Sequence, residues 1–385
     1  MSLPRHTAFL YTDDFLSYNL GGKHPLQQTR LQMVHRLIGA CGLFSPDGPV
    51  DWITPQPASD EEISLVHTDD FIEAVQRASR ADEEPVSASY LKQYGLGPGD
   101  TPAFPHMYEA AALYAGGTID AARLVLSGEY EAAFNVAGGL HHAHPNRASG
   151  FCTFNDLAMG IQTLLQGGCE RVAYIDIDAH HGDGVQDCFY DDGRVLTVSL
   201  HQSCELSVNG RGFFPGTVMP REIGEGEGEG TSINVPLYPY TGDAVWHAAF
   251  NAVVPRVIEK FGPDAYVLQL GADAHFGDPL THLQLTSRGW MEAVAKLLHL
   301  ADGKPVVVTG GGGYNIRTVA RLWTMVQAMC AGIELPDAVP TGYDAMYNIP
   351  RLQDSETPRI DERIESEARA YAALQVEELE ALGVL

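Results

Sequence analysis

Short apolar runs, each followed by glycine, polar or charged positions, occur at Ala8–Tyr11, Ala132–Val136, Val172–Ile177, Val195–Leu200, Ala265–Leu270 and Pro305–Thr309. Runs of this length without a polar face predict strands buried on both sides. Between most of them the apolar positions recur every three or four residues. This happens at Met107–Leu126, Leu157–Leu165, Ala244–Lys260, Arg288–Leu300 and Thr318–Ala331, and it predicts amphipathic helices. Strands alternating with helices imply an α/β architecture, a parallel sheet covered on both faces. Such sheets bind ligands beyond the carboxyl ends of their strands, so the chemistry is to be sought there.

The run from Val172 leads into Asp176-Ile177-Asp178-Ala179-His180-His181-Gly182-Asp183-Gly184. Side chains alternate along an extended chain, so Asp176, Asp178 and His180 can share one side of the backbone. Burying them together is costly unless something pairs with them, and a metal ion can do so. Taken singly, an Asp after a strand is more often a helix N-cap. Two Asp and two His so close together favour a metal, and carboxylate with imidazole suits Zn²⁺, with Fe²⁺ as the alternative. Asp178 and His180 supply two ligands. Asp273 is the natural third, because Gly271 and Ala272 before it leave room for a ligand; the set keeps a position open for water.

Other strand ends carry complementary groups. His141 and His142 follow the 132–136 run and two glycines, and are candidates for proton transfer near neutral pH. Asp176 and Asp183 are spare carboxylates suited to orient them. Tyr314 follows four glycines, whose freedom lets the ring reach inward and its hydroxyl donate to a developing oxyanion. A phosphate cradle is the weaker reading of that loop, since no Lys-Ser/Thr follows and the strand ends are rich in carboxylates.

Composition narrows the partners. With 24 basic and 50 acidic residues the net charge is -26, which disfavours nucleic acid and anionic membranes as direct partners. No run of apolar residues is long enough to span a membrane, and Met1–His6 lacks the apolar core of a signal peptide. Six scattered cysteines without paired spacing read as reduced thiols, so a cytoplasmic location is expected. The Gly224–Gly230 run, alternating with Glu225, Glu227 and Glu229, is expected to be a mobile surface loop. From about Asp354 the chain turns charged and ends in an amphipathic Glu/Ala/Leu segment, expected to be a peripheral helix or an oligomer contact.

Six segments together resemble the histone deacetylase family of the arginase/deacetylase superfamily, in particular its bacterial acetoin-utilisation branch. They are Gly-Gly-Leu-His-His-Ala (138–143), Ser-Gly-Phe-Cys-Thr-Phe-Asn-Asp (149–156), Asp-Ile-Asp-Ala-His-His-Gly-Asp-Gly (176–184), Gly-Phe-Phe-Pro-Gly-Thr (212–217), Leu-Gln-Leu-Gly-Ala-Asp (268–273) and Gly-Gly-Gly-Gly-Tyr-Asn (310–315). The resemblance implies a single three-layer domain with a central, mainly parallel eight-stranded sheet. It places a catalytic region at 1–335 and a C-terminal extension at 336–385 that packs on or extends it. It implies zinc at Asp178, His180 and Asp273, His141 paired with Asp176, and His142, paired with Asp183, as the likelier general base and acid. Tyr314 would polarise an amide carbonyl. Gly150, Phe151 and Phe214 would bound a narrow tunnel for an acetyl-lysine stem, with Asp100 and Leu280 at its mouth and Arg30 near an inner cavity. A structural potassium ion near Asp176, Asp178, His180, Ser199 and Leu200 is also implied. His106 and His275 depart from the family pattern, which bears on specificity at the rim.

Three other functions remain in view. Acetylpolyamines or other small acetylated amines would use the same machinery as acetylated proteins. A binuclear manganese hydrolase would need a further carboxylate where Gly182 stands. A non-catalytic acetyl-lysine binder is expected to lack Tyr314 or one of the paired histidines, and all three are present.

Overall fold

In the computed structural model, residues 6–45, 48–208, 210–216 and 220–385 are described; Met1–Arg5 of the N-terminal reading and Thr217 of the 212–217 segment lie outside them. Eight strands form one sheet: β1 Thr7–Leu10, β2 Val50–Ile53, β3 Ala132–Asn135, β4 Val172–Asp176, β5 Val195–Gln202, β6 Ser232–Leu237, β7 Ala265–Gln269 and β8 Val306–Thr309. Their spatial order is β2-β1-β3-β8-β7-β4-β5-β6, and every pairing is parallel. Among the described residues twelve α-helices accompany them: α1 Thr29–Ala40, α2 Asp60–Ile63, α3 Asp69–Ser79, α4 Ala88–Gln93, α5 Met107–Leu126, α6 Asp156–Gln166, α7 Asp183–Cys188, α8 Asp243–Phe261, α9 Ser287–Leu300, α10 Ile316–Cys330, α11 Thr341–Tyr347 and α12 Glu362–Ala381.

The strands are apolar on both faces because both faces are covered. Tyr174, Val267 and Val307 pack with Ala122, Val125, Leu157 and Ile161 of α5 and α6. Ile175, Leu268 and Val308 point the other way, toward Trp246, Trp290 and Trp323 of α8, α9 and α10. The alternating pattern predicts this covered parallel sheet, and the single three-layer α/β domain is the one the resemblance implies.

Two strands escape that pattern. Asp51 interrupts β2, and Pro236 sits within β6. Both strands are at sheet edges, where a proline is tolerated because one side of the strand needs no donor. The Gly224–Gly230 run is tied down rather than loose. Glu225 N donates to Tyr190 O (2.8 Å), Gly230 N donates to Ile223 O (2.7 Å), and Gly228 is buried.

The C-terminal segment lies against the sheet. Helix α12 packs on α8 and β6, with Tyr371 hydrogen-bonded to Ser203 (2.8 Å) and Tyr238 donating to Glu367 (2.7 Å). Farther back, Tyr343 of α11 donates to Met33 O (2.9 Å).

His67 joins the connection between α2 and α3 to the loop after β3. Its Nδ1 donates to His144 O and Pro145 O (3.1 and 3.3 Å), and its Nε2 accepts Asn155 N–H (2.9 Å). These partners fix a neutral tautomer, because a second proton would oppose the Asn155 donor. Burial pushes its pKa down to about 4. Between that value and the ordinary 6.5 the unfolded chain holds the extra proton, so this contribution to stability is full above 6.5 and fades as pH falls toward 4. Between pH 7.5 and 5 the wild type is expected to lose about 2 kcal/mol more stability than His67→Gln. Urea unfolding at the two pH values checks this; equal losses in both proteins would remove His67 as the cause.

Candidate active site

The four central neighbours β3, β8, β7 and β4 end side by side, and each is followed by one part of the predicted chemistry. His141 and His142 come after β3, the 310–313 glycines and Tyr314 after β8, Asp273 after β7, and Asp178 and His180 after β4. The β7 end is anchored from outside the site. Trp323 Nε1 donates to Leu270 O (2.8 Å) and Trp290 Nε1 donates to Gly271 O (3.1 Å).

Asp178, His180 and Asp273 are buried, with one ligand atom of each lying within 4.8 Å of the others. His180 Nδ1 is 3.0 Å from Asp178 Oδ1 and 3.0 Å from Asp273 Oδ2. The remaining oxygens are held elsewhere. Asp178 Oδ2 accepts Gln269 Nε2 (2.9 Å) and Gly312 N (2.8 Å), and Asp273 Oδ1 accepts Ala179 N (2.8 Å). One oxygen of each acid is thus turned toward the imidazole by the bonds on the other. Two anions and an imidazole converging in a buried site fit a divalent cation. Burial followed by the Asp178 charge pushes Asp273 up to about 7, the mark of two acids forced together.

Close approach is permitted by glycine. A Cβ at Gly271 would lie 2.0 Å from Asp178 Oδ2, and one at Gly312 would lie 2.2 Å from Asp273 Oδ2.

Each of the two histidines faces a carboxylate. His141 Nδ1 is 2.7 Å from Asp176 Oδ2, His142 Nδ1 is 2.7 Å from Asp183 Oδ1, and their Nε2 atoms are 3.0 Å apart. Tyr174 also donates its hydroxyl to Asp176. Burial lowers the His141 pKa, but the charges of Asp176 and Asp178 outweigh it and carry it up to about 9. Burial and the neighbouring His141 charge take His142 down to about 3. Tyr314 is kept protonated by burial and by the charges of Asp273 and Asp178, which push its pKa well above the phenol range. Asp278 accepts Tyr314 N–H (2.8 Å) and so links that residue to the loop carrying Asp273.

A cavity of about 610 Å³ opens onto this group. His142, His180 and Tyr314 line its floor, Phe151, Phe213 and Phe214 its walls, and Asp100, Gly150 and Leu280 are also in the lining. His141 does not line it, but it does line a cavity of about 20 Å³ behind, together with Leu140 and Gly311. Arg30 donates to Gly311 O (2.8 Å) and Gly313 O (3.1 Å) on the same glycine loop. Asp176 and Ser199 are partners in the β4–β5 register, which brings them together with Leu200, the next residue of β5.

The rim reading of His106 and His275 does not match the structure. His106 is exposed at the start of α5, and neither ring lines the cavity. His275 is buried, with Nε2 at 3.0 Å from Asp354 Oδ2. Sequence reasoning gave no role to Phe213, which stacks on His180 at 4.8 Å and 9°. Nor did it give one to Gln269, a polar residue in an otherwise apolar strand, which was the available signal.

The sequence matches the histone deacetylase domain over residues 24–330. It is 42% identical over 340 residues to the acetoin utilization protein AcuC of Bacillus subtilis (strain 168), covering 87% of this chain and 85% of that protein. It is 41% identical over 325 residues to AcuC of Staphylococcus aureus (strain MSSA476), covering 83% and 80%. Histone deacetylase 9 of Arabidopsis thaliana is 41% identical over 345 residues, covering 89% and 77%. No helix among the described residues is long and apolar enough to cross a membrane. With the site at the ends of β3, β8, β7 and β4, these likenesses settle the family: the chain belongs to the histone deacetylases and is a deacetylating amide hydrolase.

Proposed function

We propose that the chain hydrolyses N6-acetyl-lysine in polypeptides, with a zinc ion held by Asp178, His180 and Asp273. When bound there, the ion supplies a Lewis acid that lowers the pKa of water and polarises the acetyl carbonyl. The rest of the reaction falls to the chain. Phe151 and Phe214 flank the aliphatic stem, and Gly150 leaves them space: a Cβ there would lie 2.5 Å from His142 Cδ2 and 2.8 Å from Phe214 Cε1. His142 faces the cavity floor, takes a proton from the attacking water and returns it to the leaving nitrogen as the C–N bond breaks. His141, behind it, supplies positive charge. The Tyr314 hydroxyl donates to the carbonyl oxygen as negative charge develops. Acetate and the lysine amine are the products.

The observation that carries the polypeptide reading is the charge of the mouth. Asp100 is the one carboxylate among the described lining residues, and Arg211 and His282 share that lining with it. A polyamine would bring a second ammonium to a lining in which a single acid is accompanied by a guanidinium. A peptide brings backbone N–H groups, for which Asp100 is an acceptor. A second metal is disfavoured by space, because a Cβ at Gly182 would lie 2.5 Å from Asp176 Oδ2 and 2.9 Å from the Tyr174 hydroxyl. The Asp176, Asp178, His180, Ser199 and Leu200 group is assigned to the structural potassium ion.

Side-by-side kinetics on acetyl-lysine peptides and acetylpolyamines test the substrate. A higher kcat/KM on the peptides is expected, and a preference for polyamines would overturn the reading.

Gly271→Ala is expected to displace the Asp178 carboxylate and weaken zinc binding by about 10- to 100-fold with the fold retained. Elemental analysis after dialysis, with circular dichroism as control, reads this directly. Full zinc occupancy would exclude the arrangement proposed for Asp178.

Tyr314→Phe is expected to keep its metal and its KM while kcat falls by about 10²–10³. Wild-type turnover in that variant would take the hydroxyl out of the mechanism.

A further inference from the structure

The stretch that carries His141 and His142 ends in a third histidine that none of the roles above uses. His144 is 5% exposed, yet both its ring nitrogens face acids. Nδ1 lies 2.5 Å from Asp187 Oδ2, and Nε2 lies 3.5 Å from Asp183 Oδ2. Those acids are four residues apart on α7, about one helical turn, so they present to the same side. Ionised carboxylates accept and do not donate, so a ring between two of them carries a proton on each nitrogen and is a cation. Burial pulls the His144 pKa down, but the hydrogen bonds and charges of Asp183 and Asp187 carry it up to about 9. The other ionisable neighbours are His67, bonded to the His144 carbonyl, Arg147, whose backbone closes a turn with it, and His142 across Asp183.

Asp183 is the shared group. One oxygen is 2.7 Å from His142 Nδ1, and the other faces His144. Burial opposes its ionisation, but His142 and His144 hold it well below the usual carboxylate range. The acid behind His141 is built differently. Apart from His141, the protein partners of Asp176 are the Tyr174 hydroxyl and the Asp178 amide (3.0 Å), where Asp183 meets a second imidazole. Without His144, one Asp183 oxygen would be buried without a partner and one turn from a second acid. The carboxylate would then turn to find a donor, and the His142 ring would lose its fixed orientation.

We propose that His144 is a positioning residue: an imidazolium wedged between Asp183 and Asp187 that locks the carboxylate orienting His142. The proposal rests on His142 being the proton carrier. It differs from a packing role in what it demands at position 144, namely a charge and not only a shape.

The test uses the full-length, zinc-loaded enzyme carrying His144→Leu, His144→Gln or His144→Lys, with metal content and thermal midpoint measured on each. His144→Leu is expected to lower kcat by about 10- to 100-fold with KM unchanged. His144→Lys restores most of the loss, and His144→Gln, a donor without charge, falls between. Wild-type kcat in His144→Leu overturns the proposal, as does a loss of turnover that merely tracks lost zinc or is no smaller in His144→Lys. Asp187→Asn gives a second reading that leaves the buried ring in place, since its side chain is 50% exposed. By NMR the His144 ring is expected to release its proton near pH 9 in the wild type and at lower pH in Asp187→Asn. An unchanged ring titration with unchanged kcat overturns the proposal as well. His142→Ala separates the two readings. If it is active, the proton-carrier reading itself fails; if it is inactive beside a fully active His144→Leu, only the role of His144 fails.

Discussion

Four carboxylates, Asp176, Asp178, Asp183 and Asp273, are withdrawn from water at the carboxyl ends of β4 and β7, each no more than 6% exposed. An unpaired buried carboxylate costs several kcal/mol, so the rest of the chain is constrained to bring partners to this one place. A parallel sheet answers the constraint because it brings several carboxyl ends to one edge. In the order β3-β8-β7-β4 the histidines, the glycine loop and the acids become neighbours although they are far apart in sequence. Gly271 and Gly312 then let backbone approach the acids so closely that no side chain would fit. The fold and the chemistry meet in the partnering of these acids.

That constraint also explains what the sequence disclosed. An acid or imidazole directly after an apolar run is conspicuous, so Asp178, His180, Asp273, His141 and His142 were legible, as were strands buried on both faces. Strand β6 was hidden by Pro236 and β2 by Asp51: an edge strand is released from part of the hydrogen bonding that excludes proline, and β2 is partly exposed as well. Partners that arrive from a helix leave no local mark. Nothing around Asp187 says that its carboxylate meets His144, 43 residues earlier. His275 stood out only as a departure from the family pattern, and nothing local to it says that its ring turns inward to Asp354, 79 residues on.

Local charge, not the total, governs what enters. A chain of net charge -26 invites the expectation of a cation-loving surface. At the cavity, however, Asp100 shares the lining with Arg211 and His282, and the deeper acids are committed to the histidines and to one another. On the proposed substrate, acetylation removes the lysine charge, so the group that would pass Phe151 and Phe214 is neutral and apolar along its stem. An aromatic wall suits it, and strong negative potential at the mouth would add nothing to its recognition.

The segment that was hardest to read turns out to brace the loop that carries Asp273. Asp354 accepts Ser287 N (2.6 Å) and Arg321 (3.0 Å) while bonding His275 (3.0 Å). Burial opposes its charge, yet His275 and these donors hold it well below the carboxylate range. The acid thus joins α9, α10 and the turn just after Asp273 in one cluster. The same turn is fixed again by Asp278, which accepts Tyr314 N–H, and by Thr281, whose hydroxyl donates to Asp273 O. Asp273 is therefore positioned from both sides, by the tryptophans behind Leu270 and Gly271 and by this cluster ahead of it. A charged tail that seems peripheral in the sequence supplies, through one partly buried acid, part of the rigidity that holds Asp273 in place.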